Sequence, residues 1–185
     1  TTLLHHGLYL SNVTDGIGSL VECSGMSGSG IHIYPQAGFT IDSVQINNIN
    51  CYGNGLVGGS GNRAGVLAAV QATSAINVLK LTNVVANDNQ GYDVFITDVL
   101  DAEIIGIHSD GNNSINGPGV YASITVAGTN NVRVLGGTLK AHPSNVRLVA
   151  TTGTLNFQLN DILLADADGV GEVGIYSTGT GTINL

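Results

Sequence analysis

An all-β solenoid of about six stacked coils with a period near 26 residues is the fold class the sequence predicts. Three observations lead there. Short stretches of apolar–polar alternation recur along the whole chain, polar clusters rich in Asn, Asp and Gly separate them, and no stretch carries the periodicity of an amphipathic helix.

The alternating stretches fall into two series. The first runs Leu8-Tyr-Leu10, Val44-Gln-Ile46, Leu79-Lys-Leu81, Ile105-Gly-Ile107, Val132-Arg-Val134 and Phe157-Gln-Leu159. The second runs Ile31-His-Ile33, Val66-Leu-Ala68, Val94-Phe-Ile96, Val120-Tyr-Ala122, Val146-Arg-Leu148 and Val173-Gly-Ile175. Each has the period-2 pattern of a strand with one buried face, and the residues between them tolerate turn dihedrals. Two intervals are longer than the rest, where the Gly/Ser-rich stretches Cys23–Gly30 and Gly53–Arg63 insert loops. Two residues beyond each first-series strand stand Asn12, Asn48, Asn83, Ser109, Gly136 and Asp161, a pattern that predicts a ladder of short polar side chains bonding along the bends. Val94, Val120 and Val146 are expected to stack inward. Lys80 and Arg133 are expected to stay in solvent on another face.

With 185 residues the chain fits one domain, 1–185, with a substantial core. The opening TTLLHHGLYL reads as an internal cut of a longer chain. A formal charge of −8 with five basic residues argues against binding nucleic acid or an anionic membrane, since phosphate neutralisation needs clustered Lys and Arg. Neutral or cationic partners fit better. Cys23 and Cys51 lack zinc-site spacing and are expected to be buried thiols. No apolar run is long enough to span a bilayer.

The repeat near 26 residues, the strands too short for hairpins and the Asn-type ladder resemble the right-handed parallel β-helix of the pectate-lyase-like superfamily. The Gly/Ser/Thr-rich, charge-poor texture is most similar to the β-helix domains of bacteriophage tailspikes and tail fibres. The resemblance covers the whole chain and concerns architecture, which hosts many functions. It implies a virion or extracellular location, a homotrimer, and polysaccharide as the partner. No cofactor and no metal is implied. The enzymatic motifs of the superfamily are missing: there is no Asn-Thr-Asp, no Gly-His-Gly, no Arg-Ile-Lys and no Arg-x-Pro-x-x-Arg. A lyase acting on a polyanionic sugar is disfavoured.

Function is expected on outward residues. In the second series these are His32, Leu67, Phe95, Tyr121, Arg147 and Gly174, of which Leu67, Phe95 and Tyr121 form an apolar patch suited to an oligomer interface, a sugar platform or a covering loop. Acids gather in the turns: Asp88 and Asp93, Asp110, Asp166 and Asp168, with His142 between. Aligned coils would set Asp88, Asp110 and Asp166 along one edge as candidate carboxyl pairs for glycoside hydrolysis. For binding alone, Asp88, Tyr92, Asp110, His142 and Asp166 offer hydroxyl partners and a stacking ring. Three readings follow: polysaccharide recognition, polysaccharide hydrolysis, and a purely structural fibre or adhesin shaft. Asp166–Glu172 reads as an ordinary acidic turn, although it begins like a calcium loop. His5-His6 reads as an exposed pair. Asn12-Val-Thr14 and Asn112-Asn-Ser114 match glycosylation acceptors by composition.

Overall fold

The computed structural model describes residues 5–55, 63–71, 73–111, 117–165 and 173–185. Asp166, Asp168, the acidic stretch 166–172 and the acceptor at 112–114 lie outside the described residues, as does most of the loop expected at 53–63.

Fourteen strands make up two parallel sheets of seven. The first sheet contains short strands: β1 Leu8–Leu10, β3 Ile31–Ile33, β5 Ala64–Ala69, β7 Tyr92–Thr97, β9 Val120–Ile124, β11 Ser144–Ala150 and β13 Val173–Gly179. The second contains mostly long ones: β2 Asp15–Ser24, β4 Thr40–Tyr52, β6 Ala75–Asn87, β8 Val99–Asp110, β10 Thr129–Lys140, β12 Thr154–Ala165 and β14 Thr182–Asn184. The chain visits the sheets alternately, so each strand hydrogen-bonds to the strands two places before and after it in sequence.

Between the sheets lies one apolar core. Val94 pairs with Val120 and Val120 with Val146, all three fully buried, so the expected inward stack is present. Ile31, Val66, Ile33 and Ala68 continue it. Burial of each Val, Leu or Ile contributes roughly 1.5–3 kcal/mol. Cys23 and Cys51 are register partners on β2 and β4, both unbridged and buried, as the sequence suggested.

Three assignments need correction. Leu8–Leu10 pairs with Ile31–Ile33 and belongs to the second series; Gly16-Ile-Gly18 takes its place opposite Val44-Gln-Ile46. Glycine at the inward positions hid that strand. Ala102-Glu-Ile104, rather than Ile105-Gly-Ile107, lies opposite Leu79–Leu81 and Val132–Val134. Ile104-Ile-Gly-Ile107 satisfies alternation in either phase, and only neighbouring strands choose between them. Gly174 likewise gives up its outward place to Tyr176, the partner of Arg147.

The bend ladder changes with the register. The column is Leu20, Asn48, Asn83, Gly106, Gly136 and Asp161, and Asn12 and Ser109 leave it. Its shared property is backbone conformation: φ is 57°, 54°, 52°, 67°, 70° and 54° respectively. Such left-handed residues favour Gly, Asn and Asp. One amide rung spans adjacent strands here among the described residues, from Asn83 Nδ2 to Asn48 Oδ1 at 3.0 Å.

Candidate functional site

Alternation on the first sheet turns the middle residue of each short strand outward. Register then lines up Tyr9, His32, Leu67, Phe95, Tyr121, Arg147 and Tyr176, one from each of the seven strands. Strands about 4.8 Å apart bring these side chains into contact. Phe95 and Tyr121 stack in parallel with centroids 4.6 Å apart, and Tyr92 joins them at 4.9 and 5.1 Å. Further along, Tyr9 meets His32 edge-on at 5.1 Å, and His32 meets Tyr34 at 5.2 Å. The Arg147 guanidinium lies 5.9 Å from the Tyr121 ring and 5.6 Å from the Tyr176 ring, within cation–π range.

Burial along this column is uneven. Leu67 and Phe95 are 1% and 6% exposed within the single chain, packed with Ala64, Ala69, Tyr34, Tyr92 and Tyr121. The apolar patch expected at Leu67, Phe95 and Tyr121 is therefore contiguous but largely covered. Tyr9 and Tyr176 remain about half exposed, at 49% and 46%. Burial raises the Tyr92 hydroxyl above the usual tyrosine range, with Tyr121 adding to the rise and Arg147 opposing it. It also lowers His32 to about 4, helped by the neighbouring His6. The Ser29 N–H donates to His6 Nδ1, which leaves Nε2 to donate to His32 Nδ1 at 3.0 Å. His6 is thus a packed member of this face rather than one of an exposed pair.

The acidic edge is smaller than expected. Asp88 is exposed in a left-handed turn with φ 55°, and its N–H donates to the Asp110 carbonyl on the neighbouring strand. Asp110 accepts an ion pair from Lys140 Nζ at 2.7 Å. These two acids are brought together. Tyr92 belongs instead to the aromatic face, and His142 is buried at 2% exposure and cannot offer a donor to a surface glycan.

His142 joins a buried polar column that the sequence did not disclose. Ser109 Oγ lies 2.6 Å from Asp93 Oδ2 and 2.8 Å from His142 Nε2, while Asn89 Nδ2 donates to Asp93 Oδ1 at 2.7 Å. Asn54 Nδ2 continues the chain to Asn89 Oδ1 at 2.9 Å. Asn54 and Asn89 also donate to the carbonyls of Cys23 and Cys51, the same service one strand apart. Burial raises the Asp93 carboxyl above its ordinary range, against the pull of His142, Ser109 and Asn89. The usable signal was Asn54 and Asn89 following Gly53 and Asp88, both left-handed. Ser, His and Asp here have the composition of a catalytic triad, but His142 turns the same nitrogen, Nε2, to Ser109 at 2.8 Å and to Asp93 at 3.4 Å, and Ser109 is fully buried. A nucleophile must face its substrate, so this group serves structure.

On the second sheet an open groove of about 620 Å³ is lined by Asp101, Asn131, Arg133, Asn156 and Asn184, among others. Its amides bond in series, Asn184 to Asn156 and Asn156 to Asn131, and Arg133 pairs with Asp101 at 3.4 Å. Its polar groups largely bond to each other, so the aromatic column is the better ligand surface. Among the described residues no three His, Cys, Asp or Glu side chains converge as metal ligands. Comparison of the chain with protein-family models, with curated proteins and with solved structures finds no match to any of them.

Proposed function

We propose that this chain is a right-handed parallel β-helix of the pectate-lyase-like kind, working in a tailspike-like or tail-fibre-like protein to recognise cell-surface polysaccharide. On this reading it acts on a virion or outside the cell, assembled as a homotrimer. The observation that carries the proposal is the outward column from Tyr9 to Tyr176. Two strand spacings approximate the length of one sugar residue, so an extended glycan lying across the rigid sheet can meet the half-exposed rings of Tyr9 and Tyr176 at its two ends, with the largely covered middle of the column between them. Tyrosine supplies an apolar face for the sugar ring and a hydroxyl for its polar rim. Pre-ordered side chains spare the entropy of forming the site.

Recognition is favoured over hydrolysis because Asp110 is committed to Lys140 and Asp93 is buried. The hydrolase alternative keeps one supporting observation, the exposed Asp88 one strand from Asp110. A purely structural shaft is the third reading.

Saturation-transfer NMR with capsule and O-antigen oligosaccharides tests the proposal. Contacts are expected at tyrosine protons, and the double variant Tyr9→Ala/Tyr176→Ala should weaken binding about tenfold or more, in keeping with loss of two stacking rings. Gln45→Ala on the other sheet should change nothing. Binding that is indifferent to both tyrosines would sink the assignment of this face. Release of reducing ends that Asp88→Asn abolishes would establish the hydrolase instead.

A further inference from the structure

The basic residues of this acidic chain are nearly all accounted for. Lys80 Nζ lies 3.0 Å from Glu103, Lys140 Nζ lies 2.7 Å from Asp110, and Arg133 reaches Asp101 and Glu103 at 3.4 and 3.7 Å. Arg63 is buried, with Nη1 donating to the Gly55 carbonyl. Arg147 differs from all of these in one respect: among the described residues no carboxylate lies within ion-pair distance of it. Its Nε is buried without a hydrogen-bond partner, as are those of Arg63 and Arg133. It is half-buried, and what it touches is two tyrosine rings.

That position is informative. A guanidinium has five N–H donors in a planar fork, and aromatic faces attract its charge without accepting those bonds in the manner of an oxygen. Tyr121 and Tyr176 on the flanking strands therefore hold the fork in place without supplying an acceptor oxygen through their faces, and since Nε is buried, a ligand would meet the fork at its Nη1 and Nη2 end. The group that fills such a fork best is a carboxylate, bound through two parallel hydrogen bonds.

We propose that Arg147 receives the carboxylate of an acidic sugar, with Tyr121 and Tyr176 stacking on the sugars to either side. The inference rests on the glycan-binding reading of the same face and names its substrate class: a polysaccharide carrying a uronic-acid-type residue at intervals. Dense polyanions are excluded. The formal charge of −8 repels a closely charged chain, and one available arginine on the column can neutralise one carboxylate.

The test uses the whole chain labelled with ¹⁵N. Methyl β-D-glucuronide and methyl β-D-glucoside are titrated in turn while the Nε–Hε signals of the three arginines, Arg63, Arg133 and Arg147, are followed. The glucuronide should shift the Arg147 signal alone, and the glucoside should leave it in place. Calorimetry then compares a glucuronate-containing oligosaccharide with its carboxyl-reduced form. A preference of about tenfold for the acid is expected, weakening with salt. Arg147→Gln should abolish that preference and Arg147→Lys should retain part of it, with circular dichroism unchanged in both. Equal affinity for the two oligosaccharides, in wild type and Arg147→Gln alike, overturns the inference and leaves the glycan reading standing. Failure of both oligosaccharides to bind overturns both. Concentration-dependent self-association that Arg147→Gln abolishes, with no sugar preference, assigns the arginine to a second copy of the chain and overturns the inference.

Discussion

Asp93 shows how a buried acid is kept without a free charge. Two proton arrangements satisfy its network. In one, the protonated carboxyl donates to Ser109, Ser109 donates to His142 Nε2, and Nδ1–H donates to the Gly117 carbonyl at 3.3 Å. In the other, the carboxyl is ionised and Ser109 donates to it. Burial favours the first because it removes charge from the interior. The folded chain then holds the Asp93 proton more tightly than the unfolded chain does. The resulting stability is complete below the ordinary carboxyl range near pH 4 and is lost as pH rises through the folded-state value. Asp93→Asn reproduces the protonated arrangement, since its Nδ2–H can donate to Ser109 and its oxygen can accept from Asn89. It should cost less than about 1 kcal/mol in urea unfolding and remove this pH-dependent contribution. Asp93→Leu leaves one Asn89 N–H without its acceptor and takes one partner from Ser109, while Ser109 and His142 keep their bond to each other; at about 1–3 kcal/mol for each unmet group it should cost about 2 kcal/mol or more. An equal effect of the two substitutions would show that the column does not act through hydrogen bonding.

At the level of the strand, the left-handed bend divides each long strand of the second sheet into two arms. In β4, Val44 and Ile46 face inward before Asn48, and Ile49 and Cys51 face inward after it, so one residue at positive φ shifts the alternation by one place. Asn and Gly occupy this column at little cost, whereas Leu20 does so with φ 57° and its side chain 80% exposed. A branched L-residue there costs roughly 1–2 kcal/mol relative to glycine. Leu20 gives little burial in return. Leu20→Gly should therefore stabilise the chain by about 0.5–1 kcal/mol after the greater unfolded-state freedom of glycine is subtracted. A fall in the urea midpoint would mean that Leu20 is covered in solution.

Across the whole molecule, a single core runs through both sheets, and its strands depend on their neighbours as in other stacked architectures. Val120 lies at its middle, with Val94 on one side and Val146 on the other. Val120→Asp places an unpaired charge there and should abolish cooperative folding by circular dichroism. Arg133→Ser loses two ion pairs on a side chain that is 43% exposed. Such pairs are worth about 0–1 kcal/mol, so this change should be nearly neutral. Similar tolerance at both positions would mean that inward and outward faces are exchanged.

The sequence by itself determined the all-β character, the strand–turn rhythm, the Val94–Val120–Val146 stack and the grouping of Leu67, Phe95 and Tyr121, because these follow from period-2 alternation and turn chemistry. Tertiary structure decided the register wherever alternation is ambiguous: Ile104-Ile-Gly-Ile107 fits either phase, and a left-handed residue resets the parity without a fixed sequence mark. It also decided which polar residues turn inward, since Asp93 and His142 read as edge residues until Ser109 is brought to both from β8. Arg147 is the same case in reverse. That it lacks a carboxylate partner among the described residues depends on which side chains the register places beside it, and no local pattern encodes that distance.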